Sequence, residues 1–230
     1  MTTFQNFYFK ILNNSLAIYL FSITFFLFSN SSVLSQEVAI LKYNGGGDWY
    51  ANPTAVPNLI AFCNKNIQTT IKKNPQTVEA NSSALFNYPI IFMTGHGNVL
   101  FSEDEIENLR LYLTSGGFLH ISDNYGMDQY IRKELKNIFP DQELQEIPKS
   151  HPIFQQTFKF NNGLPKIHEH DNKAPQGFGL FYKDRLICFY DYESDLSDGW
   201  EDEIVHNNTA ETREKALKMG ANIVEYAFKN

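Results

Sequence analysis

The chain has 230 residues, of which 43% are hydrophobic, 15% aromatic and 20% charged, and its formal net charge is −7. That composition excludes collagen-like, low-complexity and disulfide-dense architectures and leaves a globular domain long enough to bury a core. The 20 Phe and 12 Tyr predict an aromatic core or a ring-lined cleft, and an acidic chain without a Lys/Arg cluster excludes nucleic acid as a partner.

Residues 1–35 carry one charge, Lys10, then an apolar run from Leu16 to Phe28 and a small polar stretch from Ser29 to Ser35. This is the layout of a secretory signal peptide, with cleavage expected before Gln36. The run falls short of the roughly 20 residues of a membrane span. The expectation is therefore an exported protein, periplasmic or extracellular, with residues 36–230 as a single α/β domain and no stable membrane span after cleavage. An uncleaved anchor is the alternative. Loss of Lys10 with the leader takes the formal charge to −8. Cys63 and Cys188 both lie in apolar runs and read as buried thiols, although export also permits a disulfide.

Strands and helices alternate along the rest of the chain. Val38 to Leu41 reads as a buried strand that ends in the loop Asn44 to Tyr50. Asn52-Pro53 opens a helix with an apolar stripe of Leu59, Ile60, Phe62, Cys63 and Ile67. A short strand is expected around Thr77-Val78, and a second buried strand over Tyr88 to Thr94, stopping at Gly95-His96-Gly97-Asn98. Ser102 and Glu105 form a capping box for a helix with Ile106, Leu109 and Leu113 inward, and Gly116-Gly117 ends it. Phe118 to Ser122 is the next strand, and Tyr130, Ile131, Leu135 and Ile138 mark a helix stopped by Pro140. Residues 141–180 read as irregular with short extended pieces, Arg185 to Tyr190 as a strand, Asp191 to Asn207 as an acidic loop, and Thr209 to Phe228 as the last helix. This order predicts an α/β three-layer sandwich with a mostly parallel central sheet.

In such sheets ligands bind beyond the carboxyl ends of the strands. The loops there hold Gly46, Gly47, Asp48 and Trp49 after the first strand, His96 after the second, Asp123 and Tyr125 after the third, and Asp195 and Trp200 after the last. Glycines let backbone N–H groups approach a ligand, the rings can stack on one, and the acids and His can titrate. His96, between two glycines, suits a general base, an electrophile or a metal ligand, or else a turn-bonding His. His168 and His170 would point the same way on an extended segment and suit a divalent transition metal, with His96, Asp123 or His206 as third ligand. A hydrogen-bonded lid is the alternative there. The acidic loop lacks the glycine and distal Glu of an EF-hand and reads as a solvated face. No G-x-S-x-G elbow, phosphate loop, G-x-G-x-x-G or C-x-x-C occurs.

Seven segments together resemble the bacterial family called domain of unknown function 4159, over about residues 37–228. They are Gly45 to Tyr50, Met93 to Gly97, Gly116 to Leu119, Tyr125 to Asp128, His151 to Phe154, Leu164 to Asp171 and Ser194 to Asp202. Ile90 to Tyr125 also resembles the class I glutamine amidotransferase-like superfamily, which implies a flavodoxin-like sandwich. The superfamily's nucleophile elbow falls at about Ser122 or Asp123, where no Cys stands, so the resemblance carries the fold and not thiol chemistry.

Two functions are compatible with these residues. One is a metal-assisted hydrolase acting on a small polar or glycan-like substrate, with His96 as base or ligand, Asp123 as base or orienter, and His168 and His170 as ligands. The other is a non-catalytic envelope module that binds a small polar molecule or an envelope protein through Trp49, Tyr50, Tyr125 and Trp200.

Overall fold

The computed structural model describes residues 36–230; the expected leader lies outside them. Seven strands form one sheet in the order β2-β1-β3-β4-β7-β6-β5. They are β1 (Val38–Lys42), β2 (Gln76–Glu79), β3 (Ile90–Gly95), β4 (Phe118–Asp123), β5 (Gln145–Glu146), β6 (Gln176–Tyr182) and β7 (Arg185–Tyr192). The five strands from β2 to β7 run parallel, and β6 is antiparallel to both β7 and β5. Among the described residues the α-helices are α1 (Ala55–Asn66), α2 (Glu103–Thr114), α3 (Asp128–Ile138), α4 (Leu196–Trp200), α5 (Glu203–His206) and α6 (Ala210–Lys229).

Parallel strands covered on both faces read as continuous apolar runs, and all six residues of β3 are buried. Along β1, Val38 faces one core and Ala39 and Leu41 the other. The first core packs α1, α4 and α6 on the sheet through Leu59, Ile60, Trp200, Met219 and Ile223. The second packs α2 and α3 through Leu109, Leu113, Ile131 and Leu135. Helices on both faces make the expected three layers. Cys63 and Cys188 are free, buried and in opposite cores, so no disulfide links them. Burial pushes both thiols up.

The capping box at Ser102 is present: its hydroxyl accepts from Glu105 N, and the Glu105 carboxylate accepts from Ser102 N at 2.8 Å. The main departure from the expected elements is β6, which begins inside the stretch read as irregular and runs past its end. Its glycines hide the strand pattern, and close packing requires them. A Cβ on Gly177 would sit 2.9 Å from the Phe189 ring, and one on Gly179 2.8 Å from Ile147. The acidic stretch also departs from expectation, since it contains α4 and α5 and much of it is buried.

Candidate functional site

Strand order reverses at β1. Its successor β2 pairs on one side and β3 on the other, so the loops after β1 and β3 leave the sheet in different directions. A crevice at such a switch point is where open α/β sheets place ligands. The loop after β1 supplies Asp48 and the loop after β3 supplies His96. Asp48 Oδ2 lies 3.0 Å from His96 Nδ1, and Asp48 Oδ1 accepts from His96 N at 2.5 Å. One carboxylate thus holds both the backbone and the ring of the same residue. The His96 side chain is 53% exposed.

Glycines permit this pairing. Gly47 donates its N–H to Asn98 O at 3.0 Å, and a Cβ there would sit 2.6 Å from that oxygen. Gly47 therefore locks the two loops together and its N–H is already used, whereas Gly46 faces open space. Gly95 has φ +139°, and a Cβ would strike the Tyr43 hydroxyl and lie 2.9 Å from Asp48 O. Gly95→Ala should cost about 1–3 kcal/mol from the backbone alone. It should also move Asp48, which a lowered denaturation midpoint and a shifted His96 ring resonance would report.

Asp123 closes β4 but is not free. Its Oδ1 accepts from Tyr125 N (2.9 Å) and Met127 N (3.1 Å), and its Oδ2 accepts from Tyr190 Oη (3.0 Å). Burial raises its pKa against those bonds. The residue organises the β4–α3 turn. Ser122, at the expected elbow, is fully buried and donates to Asp191 Oδ1 at 3.1 Å. Beside it, Asn124 Oδ1 accepts from Thr94 Oγ1 (2.9 Å) and Ser197 Oγ (2.8 Å). Asn52 Nδ2 donates to Ser197 Oγ (2.8 Å) and Asp198 Oδ1 (2.7 Å). These polar groups join the ends of β3 and β4 to α4.

The segment expected as a solvated acidic face is instead the floor of this region. Asp191, Glu193, Asp195, Asp198 and Glu201 are all buried. Each carboxylate has at least one partner that offsets its lost hydration, although Asp195 Oδ1 is buried without one. Glu201 Oε1 accepts from Thr54 N and Ala55 N, both at 2.8 Å, at the start of α1. Glu193 meets Lys166 at 3.0 Å. Asp191 meets His120 Nε2 at 2.7 Å. Trp200 lies in the core, fully buried, with its indole N–H donating to Ala216 O at 2.9 Å, so it is not a ligand platform.

His168 and His170 do not share a partner. His168 Nδ1 lies 2.9 Å from Asp198 Oδ2, and its Nε2 lies 2.9 Å from Asn208 Oδ1. His170 Nε2 lies 2.5 Å from Asp195 Oδ2, and its ring stacks on Tyr125 with centroids 4.6 Å apart. Just before them, Ile167 N donates to Ser194 O and Lys166 to Glu193, which anchors the segment. His206, offered by sequence as one of three third ligands, is the one that joins His168. Its Nδ1 is 3.7 Å from Asp198 Oδ2. His168, Asp198 and His206 each offer a ligand atom, and these atoms lie within 4.8 Å of one another. The Asp198 bond raises the His168 pKa. Burial pushes Asp198 up, but His168, His206 and Asn52 outweigh it and hold the carboxyl low. Burial, then the charge of Asp198, lifts Asp195 to about 7.

The family model for "Domain of unknown function (DUF4159)" matches residues 37–228. The chain belongs to that family. A search of curated proteins finds no match. The span that matches the DUF4159 family contains every residue of the site described above. Within it, a cleft of about 440 Å³ opens beside β4, lined among others by Asp123, Tyr125, Asp171, Lys173 and Glu193. Tyr125 is 48% and Tyr50 66% exposed. Trp49 is half-buried and meets Tyr50 edge to face at 5.6 Å. The structure thus brings Asp48 to His96 and His168 to Asp198 and His206, and it places Gly47, Asp123 and Trp200 in structural roles. Sequence reasoning missed Asp198 as a partner of His168. The signal was present in Leu196 and Trp200, whose four-residue spacing marks a buried helical turn within the acidic run. Among the described residues no helix is long and apolar enough to cross a membrane.

Proposed function

We propose that this chain is an exported hydrolase acting on a small polar or glycan-like substrate, with His96 as general base and Asp48 as its positioning residue. The observation that carries this reading is the Asp48–His96 pair at the switch point of the sheet. With Nδ1–H held by the carboxylate, Nε2 keeps its lone pair and faces outward, which is the tautomer a base needs. Nε2 would take a proton from water as the water oxygen bonds to the substrate's electrophilic carbon. The imidazolium would then return that proton to the leaving group as its bond to carbon breaks. Export, with residues 1–35 removed, rests on the sequence pattern of the leader. The finer fold assignment, a class I glutamine amidotransferase-like sandwich, rests on the resemblance of Ile90 to Tyr125.

The test is turnover of a panel of activated esters, amides and glycosides. His96→Gln should lower kcat/KM by about 10²–10⁴-fold. Asp48→Asn should lower kcat while leaving KM nearly unchanged. Unchanged turnover in His96→Gln would sink the assignment. The exposed rings Tyr50 and Tyr125 favour a second reading, a binding module for a glycan or an envelope protein. If no panel member turns over and Tyr50→Ala abolishes retention on a glycan array, that reading stands.

A further inference from the structure

Asn208 sets the state of the His168 ring. Its amide Nδ2 donates to the Asp198 carbonyl at 3.3 Å, so the oxygen Oδ1 is the atom facing His168 Nε2 at 2.9 Å. An acceptor there requires the proton on Nε2. The other nitrogen, Nδ1, then points a lone pair at Asp198 Oδ2 from 2.9 Å. Two lone pairs at that distance repel unless a cation lies between them. The cation is either a second proton on the ring or a metal ion.

His206 distinguishes the two. A second proton satisfies the His168–Asp198 contact and leaves His206 acting on Asp198 only through its charge. Yet His206 Nδ1 is aimed at the same carboxylate oxygen from 3.7 Å, and its Nε2 is buried without a hydrogen-bond partner. Tetrahedral ligands at 2.0–2.2 Å from a zinc ion lie about 3.4 Å apart. The separations of 2.9 and 3.7 Å bracket that value. The outer contacts also match a metal site. Asn208 accepts the far N–H of His168, and Asn52 donates to the free oxygen of Asp198 at 2.7 Å. Such partners fix ligand tautomer and orientation. The side chains of His168 and His206 are 23% and 27% exposed, so an ion held by all three would keep a face toward water.

We propose that His168, Asp198 and His206 form a three-ligand site for a zinc-class divalent ion, with a fourth position open to solvent. His170 takes no part, because Asp195 holds its Nε2. The site does not depend on the Asp48–His96 pair, so either assignment can fail alone.

The experiment is calorimetric titration of zinc chloride into the untagged full-length protein, with cobalt absorption as a second readout. One zinc per chain is expected at micromolar Kd or tighter, and cobalt should give the visible bands of a four- or five-coordinate ion. His206→Gln alters a residue on an exposed short helix and should fold. It should weaken zinc at least tenfold, as should Asp198→Asn, whereas His170→Gln and His96→Gln should not. Absence of zinc binding by the folded wild type would overturn the proposal. So would binding that His206→Gln leaves intact. Loss of turnover in His96→Gln with zinc binding preserved would separate this site from the dyad.

Discussion

Replacing Asp191 by alanine should lower stability by about 3–5 kcal/mol, because it strands the buried partners of its carboxylate. Asp191 is fully buried on β7, and His120 and Ser122 both bond it from β4. His120 sits among Phe92, Phe189 and Trp200, with centroids 5.5–5.9 Å away. Burial lowers the His120 pKa from 6.5 to about 3 and raises that of Asp191 well above 3.8. The folded pair therefore keeps one proton. Between pH 3.8 and 6.5 the unfolded chain also carries one, on the histidine, so the pair adds no pH slope in that window. Above 6.5 the unfolded chain carries none and stability falls as pH rises. Below 3.8 it carries two and stability falls as pH falls. Asp191→Asn keeps the shape but removes the raised carboxyl, so it should gain on the wild type between pH 5 and 8. Urea denaturation at both pH values checks this, and a variant that loses ground over that interval would refute the shared proton.

Trp200→Ala should cost about 3–5 kcal/mol as a large core truncation. The indole is fully buried between the sheet and α6, 5.5 Å from the Phe92 ring, and its N–H is satisfied by Ala216 O. Gly220 of α6 exists in that contact: a Cβ there would lie 2.6 Å from the indole. Nothing nearby can collapse into the space without dragging α4, which also carries Asp198. Trp200→Phe keeps most of the volume and should lose about 1 kcal/mol, the value of one buried hydrogen bond. Denaturation midpoints of the two variants separate volume from hydrogen bonding.

Local chemistry was legible wherever one element decided it. The buried run of β3 and the capping box at Ser102 read correctly because their signals lie within a few residues. The strand β6 did not, because two of its residues are small for the sake of Phe189 and Ile147, which the sequence separates from them. The acidic run was misread for the same reason. Charges are normally solvated, and only partners far along the chain, such as Thr54 for Glu201 and His120 for Asp191, make burial affordable. Of the site, His96 and His168 were visible as chemistry. Their partners became visible only when the sheet ordered the loops.

The bonds that tie Asn52 to Ser197 and Asp198, and Thr54 to Glu201 and Asp202, span 145 to 148 residues. Distant contacts carry the largest chain-entropy penalty, so these bonds are expected to close late. A chain that has formed β1, β3 and β4 but not yet seated α4 has the Asp48–His96 pair and lacks Asp198. Under the proposed assignment, His168, Asp198 and His206 come together only once α4 is seated, so zinc uptake would report finished folding. A chain stopped before that step would offer the proposed trio incomplete.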